Sequence, residues 1–235
     1  FFGSGAVLFT KRPSKIETVN DLDNKVYSLF KLIREDSEVL ARNVALTPYS
    51  RHEYDNTYNV EPKTDIDRAM QLLIQCWQGH GFRTNGYKNG WKNDVQGRER
   101  AYALHNWCRL PKWIMDAAER LKQVQIENMP AVELIKRFRY PNVLIYADPP
   151  YLLGTRDGKQ YKHEMSNEDH MELLEVLLQH PGKVILSGYN SKLYDESLKG
   201  WPKLETKSNA EGGAIRNEVL WMNFQPAGQL KMDVI

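Results

Sequence analysis

The stretch Tyr146-Ala147-Asp148-Pro149-Pro150-Tyr151 decides how the rest of this chain is interpreted. It follows the apolar run Val143-Leu144-Ile145, which predicts a buried strand. The two prolines have no backbone N–H to donate to a sheet and therefore end the strand. An acid and an aromatic ring are thus expected at the carboxyl end of a strand, where open α/β sheets place their ligands. The alternative is a Pro-Pro turn beside an incidental Asp and Tyr.

The composition is that of a folded chain with a sizeable core. Its 235 residues, of which 41% are hydrophobic, fit one large domain or one domain with an inserted subdomain. No segment approaches the roughly 20 apolar residues of a membrane span, so we predict no membrane partner. Cys76 and Cys108 lack metal-ligand spacing and indicate no disulfide framework, so we expect buried thiols in a reducing compartment.

A second candidate site lies at the start of the chain. Phe1-Phe2-Gly3-Ser4-Gly5 has the pattern of a strand that ends in a glycine turn and leads into a short helix. Glycine lets a backbone approach a ligand closely because it has no Cβ. The pattern is not the full three-glycine dinucleotide fingerprint. Because the chain opens in the middle of what looks like a strand, we expect that an N-terminal piece is missing.

An acidic residue follows the next predicted strand, 17–19. Asp21 comes about 16 to 18 residues after the glycine turn. In nucleoside-binding α/β folds, an acid at this point holds ribose hydroxyls. Asp21 could equally belong to a helix N-cap, since Asp and Asn are favoured there. A helix is predicted next, over 24–35, with its apolar residues on one face.

The middle of the chain, from about Thr47 to Pro111, departs from this alternation. Two Asn-Gly pairs within residues 82–92 predict a β-hairpin. Residues 83–125 carry a net charge of +5, more than the +2 of the whole chain, and four of the six tryptophans lie in or near this segment. Basic, aromatic and Asn side chains together suit contacts with phosphates and base edges. For residues 98–122, a solvated helical face over a tryptophan-rich core is the alternative.

Alternating helices and strands return after this insertion, which favours a parallel sheet. Strands are predicted at 124–126, 183–187 and 219–224, and a helix is predicted to begin at Ser166.

In this order, the glycine turn, the acid, the basic insertion and Asp-Pro-Pro-Tyr resemble the Dam-like (D12 class) adenine-N6 DNA methyltransferases. The resemblance covers nearly the whole chain, and residues 148–151 match that family's catalytic motif in full. It implies an α/β fold with a Rossmann-like sheet that binds S-adenosylmethionine, formed by residues 1–45 and 115–235. Residues 46–114 would form an inserted, mostly helical DNA-recognition subdomain that carries the hairpin. The family's N-terminal Pro-Gly-Gly-Lys segment is not matched, which agrees with the expected missing piece.

The resemblance also indicates the site residues. The expected catalytic residues are Asp148, Pro149, Pro150 and Tyr151. The expected cofactor contacts are Phe1, Phe2, Gly3, Ser4, Gly5, Asp21, Asn128 and Asp148. The expected DNA contacts are Arg83, Asn85, Tyr87, Lys88, Trp91 and Lys92. No metal is expected.

The predicted reaction is methyl transfer from S-adenosylmethionine to the N6 amine of an adenine flipped out of duplex DNA. That amine is a poor nucleophile because its lone pair is delocalised into the ring. The Asp148 carboxylate and the Pro149 carbonyl would hold its two hydrogens and favour a more tetrahedral nitrogen, while Tyr151 would stack on the ring. Arg and Asn can read guanine and adenine, whereas Lys88 and Lys92 are expected on phosphates.

Three alternatives stay open from the residues alone. Cytosine-N4 methylation is the nearest, although Asp at the first motif position favours adenine. A nicotinamide-dependent oxidoreductase would need a fuller glycine fingerprint, and a DNA-binding module without catalysis would not need an intact motif. We expect a cytoplasmic enzyme, bacterial or phage-encoded, of the restriction-modification type. The target sequence and the oligomeric state are not predicted.

Overall fold

A computed structural model describes residues 1–81, 84–93, 102–156, 158–209 and 215–226. These residues divide into two compact units. The N-terminal unit comprises Phe2–Met129 with Gln160–His163, and the C-terminal unit comprises Phe1 and the described residues of Pro130–Lys159 and Glu164–Ile235. The division into 1–45 with 115–235 and into 46–114 stays a prediction.

The N-terminal unit is mostly helical. Its elements are α1 (Ala6–Thr10), β1 (Glu17–Asn20), α2 (Asn24–Glu35), α3 (Ser37–Leu46), α4 (Arg51–Asn59), α5 (Asp65–Gln78), α6 (Tyr102–Leu121) and β2 (Val124–Glu127). β1 and β2 pair in parallel, with Glu17 opposite Val124. The strand predicted at 17–19 is confirmed as β1, and the short helix predicted after the glycine turn is confirmed as α1.

Helix α2 begins and ends where the sequence predicts. The Asp23 side chain caps it by accepting a hydrogen bond from the Lys25 backbone N–H at 2.9 Å. Its apolar face, including Val26, Phe30 and Ile33, is buried in the core of the unit. Because Asp23 provides the cap, Asp21 is left for another role.

The C-terminal unit contains a four-stranded sheet. Its elements are α7 (Ala131–Arg137), β3 (Leu144–Ala147), a 3-10 turn (Leu153–Thr155), α8 (Asn167–Leu178), β4 (Lys183–Tyr189), α9 (Lys192–Ser197), β5 (Lys203–Asn209) and β6 (Ile215–Met222). The strand order is β3-β4-β6-β5, with β3 parallel to β4 and β6 antiparallel to both β4 and β5. The fold is thus mixed α/β, as predicted, while the Rossmann-like sheet is not confirmed.

Strand β3 is more exposed than its apolar sequence predicts. Leu144 is 54% exposed and Tyr146 37%, whereas Ala147 at the carboxyl end is buried. The prediction of a buried strand was wrong for one face of β3, because Leu144 and Tyr146, two residues apart, share the face that is exposed.

Helix α8 begins as the sequence predicts. The Ser166 hydroxyl accepts from the Asp169 backbone N–H at 3.1 Å, and the Asp169 carboxylate accepts from the Ser166 N–H at 2.7 Å. Leu173 and Leu177 of this helix pack with Val184 of β4 in the core of the unit. Across the described residues, no helix is both long and apolar enough to cross a membrane.

Candidate active site

The predicted catalytic motif directly follows β3. Pro149 and Pro150 are buried and end the strand, whereas Asp148 is exposed. In the parallel pairing of β3 with β4, Ala147 lies opposite Leu186. The next residues along the two chains are Asp148 and Ser187, so the register makes these two polar side chains neighbours.

The Asp148 carboxyl lies beside the side chains of Tyr151 and Ser187. Although the residue as a whole is exposed, the surrounding protein atoms displace water from the carboxyl, and this desolvation raises its pKa. The hydroxyls of Tyr151 and Ser187 lower the pKa in part, and the nearby charge of Glu218 raises it. The net result is a carboxyl that holds its proton more strongly than an ordinary aspartate.

Tyr151 is held at both its ring and its backbone. Its hydroxyl lies 3.2 Å from Ser187 Oγ, and its ring meets the Tyr189 ring edge-on, with centroids 4.4 Å apart. The Arg156 Nε donates to the Tyr151 carbonyl at 2.6 Å. These contacts set the orientation of the ring in the protein itself, without a ligand.

Arg156 also organises the loop that follows the motif. Its side chain is 2% exposed and forms an ion pair with Glu164, and its Nη1 donates to the Gly158 carbonyl at 2.8 Å. The buried guanidinium of Arg156 therefore links Tyr151, at the start of the loop, to Glu164, near its end. Arg156 was not among the predicted site residues.

The two glycines of the N-terminal turn have different roles. Both have positive φ, 53° for Gly3 and 72° for Gly5. A Cβ on Gly5 would lie 2.7 Å from ring atoms of both Phe2 and Phe9, so packing alone excludes a side chain there. A Cβ on Gly3 would meet nothing within 4 Å. Gly3 is therefore the glycine that leaves open space beside the turn, together with the exposed Ser4.

Asp21 is joined to this turn. Its Oδ2 accepts from the backbone N–H groups of Phe2 at 2.9 Å and Gly3 at 3.0 Å, while its Oδ1 accepts from Asp23 N at 2.9 Å. The acid at the end of β1 and the glycine turn are therefore one hydrogen-bonded structure, as their order in the sequence indicates. Phe1 belongs to the C-terminal unit and packs against its core.

The ends of β1 and β2 are locked together next to Asp21. The Asn128 Nδ2 donates to the Asp21 carbonyl at 2.7 Å. Asn20 bonds to both the N–H and the carbonyl of Met129, at 3.0 and 2.9 Å. A shallow cleft opens beside these strand ends, and its lining includes Asp21, Tyr27 and Ile126. Tyr27 was not among the predicted site residues, because its place on α2 gives no signal in the sequence.

The predicted hairpin is not confirmed in the described residues. Gly79 and Trp91 form a single antiparallel bridge, where a ladder was expected. The first Asn-Gly pair does make a turn: Gly86 has a φ of 85°, and Asn85 Oδ1 accepts from the Tyr87 N–H at 3.0 Å. Arg83 lies outside the described residues.

Among the other predicted DNA contacts, Lys88 has its charge paired with an acidic side chain, that of Asp55. It is exposed, and its Nζ lies 2.7 Å from the Asp55 carboxylate and 5.8 Å from the centre of the Tyr58 ring. Asp55 and Tyr58 both lie on α4, so this helix supports the loop. Asn85 and Tyr87 are exposed as well.

Trp91 and Lys92 are half-buried at the base of the loop. The Trp91 ring lies 5.5 Å from the Tyr49 ring and has the Arg51 guanidinium 4.8 Å from its centre. The Tyr49 hydroxyl donates to the Lys92 carbonyl at 2.5 Å. These two residues therefore hold the loop to the helices of the N-terminal unit.

A family model for D12 class N6 adenine-specific DNA methyltransferases matches residues 1–210. The chain belongs to this family. The methyltransferase therefore acts on adenine N6 in DNA and requires a methyl donor. Membership in this family favours adenine-N6 methylation over the three alternatives that the residues had left open. Those were cytosine-N4 methylation, a nicotinamide-dependent oxidoreductase and a DNA-binding module without catalysis. A comparison with curated proteins finds no match to this chain.

In the methyltransferase, sequence reasoning missed the residues around the motif that come from other strands. Ser187 ends the apolar part of β4, and Glu218 lies on β6 opposite Tyr189. The signal for Ser187 was present, since a polar residue follows the apolar run of each of these two neighbouring parallel strands. Glu218 lies on an antiparallel strand whose register the sequence does not indicate.

Proposed function

We propose that this methyltransferase takes its methyl group from S-adenosylmethionine and transfers it to an adenine turned out of duplex DNA. The observation that carries the proposal is the cluster of Asp148, Ser187 and Tyr151 after β3. It combines a hydrogen-bond acceptor with a preset aromatic ring. An acceptor beside a stacking surface suits an amine attached to a flat heterocycle.

In the proposed reaction, Asp148 and the Pro149 carbonyl accept the two N6 hydrogens. The amine lone pair then attacks the sulfonium methyl in line, so that the N–C bond forms as the S–C bond breaks. Positioning of the two reactants supplies most of the acceleration. The methylated amine loses one proton, and the raised pKa of Asp148 makes this carboxylate a better acceptor for it than an ordinary aspartate.

Tyr151 supports the proposal that the base leaves the duplex. Flipping costs a few kcal/mol of stacking and pairing. Stacking on an aromatic side chain returns about 1–3 kcal/mol per base. Since Ser187, Tyr189 and Arg156 already hold Tyr151, little ordering of that ring is left to be done when the base arrives.

For the cofactor, we propose that the methionine part lies against Gly3 and Ser4 and that Asp21 contacts the ribose. A carboxylate offers about four lone-pair sites, and three of those on Asp21 already accept backbone N–H groups. This leaves room for one ribose hydroxyl, fewer than the pair expected from the sequence. Asn128 supports the contact indirectly through the Asp21 carbonyl.

We propose that the cofactor's adenine lies against the surface at the shallow cleft beside Asp21. Its lining includes the apolar side chains of Phe2, Val19 and Ile126, which suit the faces of a purine. Glu127 also lines this cleft and could provide a carboxylate acceptor for an exocyclic amine.

For DNA, we propose that Asn85, Tyr87 and Lys88 are the contacting residues among those described, together with Arg83. Their exposure supports this role. Trp91 and Lys92 are proposed to support the loop, since their packing and backbone hydrogen bonds are used within the unit. Lys88 must exchange its ion pair with Asp55 for a phosphate, which reduces its net contribution to affinity.

We therefore expect opposite effects from the two members of this ion pair. Lys88→Ala should weaken binding to all duplex sequences by a similar factor and reduce the slope of log K against log salt by about 0.9, the value for one phosphate contact. Asp55→Asn should tighten binding, because Lys88 then loses no partner when it meets phosphate. Fluorescence anisotropy over a salt series measures both effects.

Lys192→Ala is the control for this experiment, since Lys192 is 88% exposed on α9 and its ion pair with Glu196 is a weak i,i+4 contact at 3.8 Å. It should leave both affinity and slope unchanged. A loss in Lys88→Ala confined to one base pair would make Lys88 a base reader and contradict the phosphate assignment.

Methyl transfer tests the proposed function directly. The purified protein is incubated with methyl-labelled S-adenosylmethionine and duplex DNA, and the DNA is hydrolysed to nucleosides. We expect the label in N6-methyladenine. Label in N4-methylcytosine would contradict the base assignment, and DNA that stays unlabelled while the protein binds it would contradict the proposed donor.

A further inference from the structure

Ser187 is the hydroxyl on which the groups around the motif converge. It lies on β4 and is 4% exposed, flanked by the fully buried Leu186 and facing the β6 strand at Leu220. Its Oγ lies 3.2 Å from the Tyr151 hydroxyl. The Asp148 carboxyl and the Tyr146 hydroxyl lie close enough to Ser187 for its hydroxyl to lower the pKa of both groups. One small side chain therefore contacts the acceptor and both tyrosines of the segment 146–151.

The hydrogen-bonding capacity of a serine hydroxyl matches these three partners. Serine has one proton to donate and two lone pairs to accept with. Its proton can go to the ionised Asp148, which is an acceptor only, and its lone pairs can accept from Tyr146 and Tyr151. In this arrangement the protons of Ser187, Tyr146 and Tyr151 each have an acceptor, and the Tyr151 proton goes to Ser187 and not to Asp148. A buried hydroxyl that was not satisfied would destabilise the sheet.

We propose that Ser187 is a positioning residue of methyl transfer, which aims the Asp148 carboxylate at the exocyclic amine and holds the Tyr151 ring in its stacking orientation. The inference rests on the proposed function. Ser187 itself contacts no substrate, so it acts through the other two residues. A serine that only filled a place in the sheet would not need to lie against the acceptor and the stacking ring together.

The charges around Asp148 come from several elements. Glu218 of β6 and the phenols of Tyr146, Tyr151 and Tyr194 all face it. Desolvation and the nearby charge of Glu218 favour the protonated carboxyl, while the hydroxyls of Tyr151 and Ser187 and the amino group of Phe1 favour the charged form. Ser187 therefore also helps to keep Asp148 in the state that can accept hydrogen bonds from the amine.

The test compares Ser187→Ala with Ser187→Thr, which keeps the hydroxyl, and with Tyr151→Phe, which keeps the ring. In single-turnover assays Ser187→Ala should lower the rate of transfer by about 10–100-fold, the cost of a small misplacement. KM for S-adenosylmethionine should stay within about twofold, because no cofactor contact is lost. The acid limb of the pH–rate profile should move to higher pH, since Asp148 loses a bond that favours its charged form.

Two further results are expected. Ser187→Thr should recover most of the rate and return the acid limb toward its wild-type position. The double variant Ser187→Ala/Tyr151→Phe should be no slower than Ser187→Ala by more than about twofold, because both changes break the same hydrogen bond.

Ser28→Ala is the matched control. Ser28 is also buried, at 3% exposure, and its hydroxyl donates to the Asp65 carboxylate at 3.2 Å in the N-terminal unit. Its loss should leave the rate and the acid limb unchanged. A Ser187→Ala variant with the wild-type rate and acid limb would overturn the inference. If Ser187→Ala does not fold, an unchanged acid limb and rate in Tyr151→Phe would overturn it instead. Absence of transfer by the wild-type protein would mark a failure of the proposed function and not of Ser187 alone.

Discussion

Asp148→Ala is expected to lower the rate of methyl transfer by about 10³-fold, within the range for loss of a positioned acid–base group. The variant removes the acceptor for one amine hydrogen and the partner of Ser187 and Tyr151. Some binding of DNA and of the cofactor should persist, since the glycine turn and the loop proposed to contact DNA lie on other parts of the chain. Rapid-quench assays together with binding titrations separate the two effects.

Asp148→Asn gives a sharper version of the same prediction. Asparagine keeps an acceptor oxygen but has no carboxyl to titrate, so it should be more active than the alanine variant and show no acid limb. The proposed reaction requires the ionised carboxylate, so wild-type activity should be complete well above the pKa of Asp148 and should be lost as pH falls through it. Because burial raises this pKa, the limb should lie above the usual aspartate value.

The raised pKa also predicts a gain in stability. A carboxyl that binds its proton more tightly in the folded protein opposes folding when it is ionised at neutral pH. Asp148→Asn should therefore raise the thermal midpoint while lowering activity, a trade-off typical of active sites. Asp195→Asn, at a partly exposed ion pair with Lys203, is the control and should leave the transfer rate unchanged. A lowered midpoint in Asp148→Asn, or transfer near the wild-type rate in Asp148→Ala, would contradict this account of the residue.

The second large effect is expected at Glu17, where an ion pair joins β1 to α6. The carboxylate is 5% exposed and accepts from Arg120 through two nitrogens, at 2.6 and 2.8 Å, and Lys11 pairs with it as well. The Arg120 hydrogen bonds are the main cause that lowers the pKa of Glu17 from 4.5 to about 2. Such a bidentate pair is both strong and directional.

Glu17→Gln should reduce the free energy of unfolding of the N-terminal unit by about 3 kcal/mol at neutral pH. The variant leaves Arg120 without its charged partner. Since the pKa of Glu17 is lowered on folding, its contribution is complete above about pH 4.5 and is lost as pH falls toward 2. The stability difference between wild type and variant should therefore shrink over that interval.

Urea denaturation followed by tryptophan fluorescence measures this effect, because Trp77, Trp91, Trp107 and Trp113 lie in the N-terminal unit. Glu119→Gln is the control: its carboxylate is 72% exposed in the pair with Lys122, so its loss should cost under about 1 kcal/mol. Equal losses in the two variants would show that burial of Glu17 adds nothing. Because β1 leads to Asp21, Glu17→Gln should also weaken binding of S-adenosylmethionine.

The sequence by itself determined the features that depend on neighbouring residues. The bounds of α2, the capping box at Ser166 and the end of β3 shortly before Pro149 follow from side chains that act within a few positions of themselves. The family is also recognisable from the chain, because the order of its motifs is a property of the sequence. β5 was missed because its polar residues, Lys203 to Asn209, carry no apolar alternation.

Only the tertiary structure decided which residues meet across elements. The pairing of β3 with β4 places Ser187 beside Asp148. Asp21 accepts three hydrogen bonds from backbone N–H groups around it. Lys88, in a loop, forms an ion pair with Asp55 of α4. None of these pairs is close in the sequence, apart from Asp21 with Asp23. Residue types determine what each side chain can do, but strand register and helix packing result from many weak contacts that act together. For that reason the motif was evident from the chain, while the hydroxyl proposed to position it was found only in the fold.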